Sequence, residues 1–191
     1  MSKFRKSFLL IITVMSILLI SSFTQVFAAE FIADLYQKQT GSISSGRVFV
    51  KGNLMRKEVL HAGLVTITLF DLERGTAWIL NAGARTYAEV PSELEEHPVL
   101  LAEKWEALGE VRKVGTGGYE GYRCDILRYE QKKTPDGPLV QWIAGDLGFP
   151  VRTELPEKLY LLQYKNIEER PVPAAAFSVP PGYRKVAAPG R

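Results

Sequence analysis

Beyond residue 30 the chain alternates between short apolar-rich runs and turns that carry glycine. Phe31–Gln39, Gly46–Lys51 ("GRVFVK"), Leu54–His61 ("LMRKEVLH"), Leu64–Asp71 ("LVTITLFD"), Thr76–Leu80 and Arg85–Val90 ("RTYAEV") are the first six runs. Thr40-Gly41-Ser42, Gly52-Asn53, Ala62-Gly63, Glu73-Arg74-Gly75 and Asn81-Ala82-Gly83 separate them. Such units at this spacing predict an antiparallel meander. Within Leu64–Asp71 the period is two: Val65, Ile67 and Leu69 share one face, and Thr66, Thr68 and Phe70 the other. Within Leu54–His61, Met55, Lys57 and Val59 oppose Leu54, Arg56, Glu58 and Leu60. Apolar residues stand on both faces, so the sheet is expected to be covered in places on both sides.

After Val90 the period changes. Ser92 with Glu95 three residues later matches a capping box, and Pro98 suits the first turn of a renewed helix. Leu101, Trp105 and Leu108 then fall at i, i+4 and i+7, one apolar stripe, with Gly109 as the stop. This predicts one helical excursion over Ser92–Leu108. The glutamates Glu93, Glu95 and Glu96 suit its start, where the helix dipole favours negative charge. Strands resume at Glu110–Gly115 and Tyr122–Gln131, flanking a glycine-rich turn around Gly117-Gly118. Leu139–Ala144 ("LVQWIA"), Val151–Leu155 and Lys158–Lys165 ("KLYLLQYK") follow. From Arg170 the tail is rich in proline and alanine, with one apolar anchor, "AFSVPPGY". The expected architecture is mainly β, about ten strands and one helical segment in a single domain over residues 29–191.

The first 28 residues change the charge and the address. Lys3, Arg5 and Lys6 precede an apolar run, Phe8–Ile20, and a small-residue site, Val26-Phe27-Ala28. That is the pattern of a secretory signal peptide, cut after Ala28. The apolar run is shorter than the roughly 20 residues a bilayer span needs. The whole chain has 24 Lys+Arg against 21 Asp+Glu. Losing those three basic residues leaves the exported part with no net charge, so the basic balance of the whole chain is no evidence for nucleic acid or anionic membrane binding, and no nucleic-acid partner is expected. The periplasm or the exterior is the expected location.

Reactive chemistry is sparse. Beyond the signal the histidines are His61 and His97, and neither sits beside a nucleophile motif such as G-x-S-x-G. No spacing matches a metal or phosphate-loop motif. Asp71, Asp125 and Asp146 are carboxylates with no pattern that joins them. Cys124 is the single cysteine, so no internal disulfide can form. Tyr122, Cys124 and Ile126 share an apolar strand face, which favours burial. A reactive thiol and an intermolecular bridge are the alternatives. The expectation is a non-enzymatic protein without cofactor or metal.

The segments "GRVFVKGNLMRKEVL", "TAWILNAGARTYAEVP", "EGYRCDILRYE", "QWIAGDLGFPVRTEL" and "FSVPPGY", in this order behind a signal peptide, resemble the LolA-like group of bacterial periplasmic proteins. The wording is closest to uncharacterised exported relatives within it. The resemblance implies a strongly curved, incompletely closed antiparallel β-barrel, with a helical lid over an apolar concave face that receives acyl chains in carriers of the group. The implied partner is a lipid or lipidated protein, or else an envelope protein bound without lipid. The candidate ligand-facing residues are Val65, Ile67, Leu69, Trp78, Leu101, Trp105, Leu108 and Trp142. Arg56 aligns with an arginine that holds the lid closed in the carrier. The chain departs from the group in the strong charge of the strand around Arg56, and it has no lipoprotein cysteine after the signal.

Overall fold

The computed structural model describes residues 29–61, 63–92, 109–131 and 137–188. These form twelve strands in one sheet: β1 (Glu30–Gln39), β2 (Ser42–Lys51), β3 (Leu54–His61), β4 (Leu64–Asp71), β5 (Thr76–Asn81), β6 (Thr86–Pro91), β7 (Gly109–Tyr119), β8 (Tyr122–Gln131), β9 (Leu139–Ala144), β10 (Phe149–Leu155), β11 (Tyr160–Glu169) and β12 (Arg184–Val186). The spatial order is β12-β6-β5-β4-β3-β2-β1-β11-β10-β9-β8-β7. All pairings are antiparallel except β12 with β6, which is parallel. The sheet curves strongly but does not close.

The count of about ten strands is corrected to twelve. The expected helix lies, apart from Ser92, outside the described residues, so the helical lid is not shown. Two turn positions also move. The hairpin between β7 and β8 turns at Glu120 and Gly121, both with positive φ, rather than at Gly117-Gly118. Gly117 sits inside β7 because the Trp142 ring lies over it; a Cβ there would come within 2.7 Å of Trp142 Cζ3. β10 begins at Phe149, ahead of Val151, since the turn closes at Gly148 with φ 59°.

A sheet this long must curl to bury its apolar face. The core is one continuous cluster on that face: Phe31, Ala33 and Leu35 from β1, Val48 and Val50 from β2, Met55 from β3, Phe70 from β4, Ala77 from β5, with Cys124, Ala144, Phe149, Val151, Leu162 and Tyr164 from the other half. Phe31 and Phe149 meet edge to face at 5.3 Å between centroids. Two local features help the sheet bend. The ladder slips in β10 between Pro150 and Arg152 and in β1 between Ile32 and Asp34, and such bulges kink and twist a strand. Gly46 of β2 lies so close to β3 that a Cβ there would land on the Glu58 carbonyl oxygen.

The tail from Arg170 is a strap across the far face. Val172 and Phe177 are buried with Ile32, against Phe49 and Leu54. Glu30 Oε1 accepts from Lys51 Nζ at 2.7 Å and from the Val172 N–H at 2.8 Å. These hydrogen bonds, with the Lys51 charge, hold the Glu30 carboxyl below its usual range. The chain then reaches β6, where Arg184 N–H donates to the Arg85 carbonyl at 2.9 Å and β12 begins.

Candidate functional site

The strand register lays the core face of β2 to β6 out in rows. The deepest row holds Val50, Met55, Phe70, Ala77 and Val90; the first four of these are essentially inaccessible. The next holds Val48, Lys57, Thr68, Ile79, Ala88 and, across β6, Val186 of β12. The outermost holds Gly46, Val59, Thr66, Asn81, Thr86 and Arg184. Burial falls along this series. Val48 is fully buried, whereas Ile79 and Val186 are each 39% exposed. Large β-branched side chains left open on a core face mark a hollow that the described residues do not fill.

That hollow is a cavity of about 620 Å³. Thr66, Ile79, Ala88, Thr86 and Val186 line it together with Val65, Leu80 and Tyr87 of the alternate rows, and the β3–β4 turn with Leu64 forms its rim. Leu64 is 74% exposed. The size and the mixture of apolar and hydroxyl groups lie within the range of small-molecule sites. Lys57 stands on the same row as Ile79, two strands away. Its position between Met55 and Val59 on an apolar face pushes its ammonium pKa down to about 8, by desolvation. Among the described residues nothing forms an ion pair or hydrogen bond with it.

The sequence-predicted residues divide between the faces. Val65, Ile67, Leu69 and Trp78 lie, with Arg56, on the face opposite the main core. The alternation holds: Phe70 packs in the main core cluster, while Val65, on the alternate rows, lines the cavity. Leu69 is buried, and Trp78 Nε1 donates to Glu89 Oε2 at 3.2 Å. Trp142 packs against the core, 5.3 Å from the Arg152 guanidinium and 6.4 Å from the Tyr119 ring. Leu101, Trp105 and Leu108 lie outside the described residues. Arg56 bonds Glu58 Oε1 at 2.7 Å, donates to the Ala176 carbonyl at 3.2 Å and lies 6.0 Å from the centroid of the Phe49 ring, so beyond its own strand it touches the strap and β2. Lys57, on the row of Ile79 but inward of the residues that line the cavity, is the cation that sequence reasoning misses. Its signal is a charged residue in register with Met55 and Val59.

Elsewhere reactive groups stay apart. Among the described residues no three His, Cys, Asp or Glu side chains converge. Cys124 is fully buried, its Sγ 3.8 Å from the Tyr122 carbonyl, and burial raises its thiol pKa. Tyr164 is buried with its hydroxyl unpartnered among the described residues. Also among them, no helix is long and apolar enough to cross a membrane.

Three solved structures resemble this one. An uncharacterized conserved protein from Thermus thermophilus is 13% identical, with a TM-score of 0.58 over 84% of this chain and 91% of that one. MucB, in the Pseudomonas aeruginosa MucA/MucB complex, is 15% identical, with a TM-score of 0.51 over 80% of this chain and 58% of that one. A LolA superfamily protein from Nitrosomonas europaea is 9% identical, with a TM-score of 0.43 over 79% and 90%. The fold is shared with the Thermus thermophilus protein and with MucB. No protein-family model and no curated protein matches the sequence. At these identities the likeness is one of fold.

Proposed function

We propose that this is an exported, non-enzymatic carrier that holds a hydrophobic ligand, a lipid or the acyl chain of a lipidated protein, in the hollow on its core face. The observation that carries this reading is the cavity itself. Ile79, Ala88 and Val186 continue the rows of the core yet leave about 620 Å³ unfilled at the open end of β4 to β6. An acyl chain entering it gains about 0.8 kcal/mol per buried methylene. Export follows from the N-terminal signal pattern, and the resemblance to LolA-like proteins agrees with a periplasmic setting. The stripe Leu101, Trp105 and Leu108 belongs to this reading through its sequence alone.

The test is extraction of gently purified protein with organic solvent, followed by mass spectrometry. A bound lipid at near-stoichiometric amount is expected. Its absence, together with no uptake of a fluorescent fatty acid, overturns the reading. A second reading is an envelope protein-interaction domain without lipid. It is favoured by β7, an eleven-residue strand that has only β8 beside it among the described residues, and by MucB being solved with MucA. An exposed strand edge can take a partner's extended segment.

A further inference from the structure

We propose that the hollow is built for an anionic single-chain amphiphile, and that Lys57 is the residue that binds its carboxylate. This rests on the carrier reading above and adds the charge of the ligand and the group that recognises it. The first observation is placement. Lys57 lies on the row shared by Thr68, Ile79 and Ala88, and the last two line the cavity. Two strand spacings separate its backbone from that of Ile79, roughly 10 Å, and its flexible stem carries the ammonium away from the backbone.

The second observation is the company it keeps. On the core face of β2 to β6 and β12 the described side chains are Ser44, Val48, Val50, Met55, Val59, Thr66, Thr68, Phe70, Ala77, Ile79, Asn81 and their neighbours, and none is a carboxylate. Glu58, one residue away, points to the opposite face and pairs with Arg56. The other charge that the register puts on this face is Arg184, a second cation, at the outer row. A lysine on an apolar face is costly, and Lys57 has no acidic partner among the described residues; folds retain such groups where a ligand supplies a counter-charge. Thr66 and Thr68 add hydroxyls beside it that can donate to the same oxygens. The apolar rows take the chain and the cationic row takes the head, so a fatty-acid-like molecule fits where a neutral lipid leaves Lys57 without a counter-charge.

The experiment is isothermal titration calorimetry of the full exported chain at pH 7 with two probes of equal chain length, dodecanoate and dodecan-1-ol. Wild type should prefer dodecanoate by at least tenfold. Lys57→Met should weaken dodecanoate at least tenfold, leave dodecanol within twofold, and so erase the preference; Lys57→Arg should keep it. Circular dichroism melts confirm folding, and Lys57→Gln replaces the methionine variant should that one not fold. Equal binding of both probes by wild type, or a preference that survives Lys57→Met, overturns the assignment of Lys57 while the carrier reading stands. Binding of neither probe overturns both.

Discussion

Lys57 shows how one side chain sets stability against function. Its pKa falls from an ordinary 10.5 to about 8 because burial disfavours the charged form. Between those values the unfolded chain holds a proton that the folded chain has shed. Stability therefore rises as pH climbs from about 8 to about 10.5, and below pH 8 the cost of the buried charge is fully present. The shift amounts to about 3 kcal/mol at most, and residual solvent access reduces it to about 1–3. Lys57→Met should raise the free energy of unfolding at pH 7 by about that amount and flatten its slope between pH 8 and 10, as urea melts at several pH values would show. Gly46 makes the opposite case. Its missing Cβ is what lets the Glu58 carbonyl approach, so Gly46→Ala must push β2 and β3 apart. A loss of about 2–4 kcal/mol is expected in the same assay. Cys124, buried with a raised pKa, should resist a thiol reagent at pH 8 until the protein is unfolded by guanidinium. Rapid labelling of the native protein would contradict its placement.

At the scale of elements, β3, β4, β8 and β9 stand where alternation and glycine turns put them. Each is a run of extended-favouring residues whose ends are marked by turn residues. β2 is harder to read, because its first half is serine and glycine and its pairing comes from β1, not from its own composition. β12 is invisible in the sequence: Arg184, Lys185 and Val186 are exposed, and their partner strand lies about a hundred residues earlier in the chain. In β4 the pattern shows two faces but not which one packs the main core: Val65, Ile67 and Leu69 are the more apolar set, yet Phe70 is the member of the core cluster. The site inherits that difficulty, since a hollow is an absence between rows and only the register reveals it. The strap is the element whose removal is most informative. Phe177 is buried against β2 and β3, and Phe177→Ala should cost about 2–4 kcal/mol with no direct effect on the cavity. A thermal melt together with the dodecanoate titration separates the two effects.

For the whole molecule the arrangement of edges matters most. The sheet buries one face by curling, protects part of the other with the strap, and ends in two unequal margins. One margin is β12, three residues long; the other is β7, eleven. Amide hydrogen exchange should run fastest at these margins and slowest in β1, β2 and β11, whose ladders lie in the middle of the strand order. The same inequality limits what copies of this chain can do to one another. Growth of a continuous ribbon requires every member to offer two adhesive borders. Among the described residues only one border is long enough to template another backbone, so strand-to-strand association has nowhere to go after the first pair, and crowding should yield transient twins, not fibres.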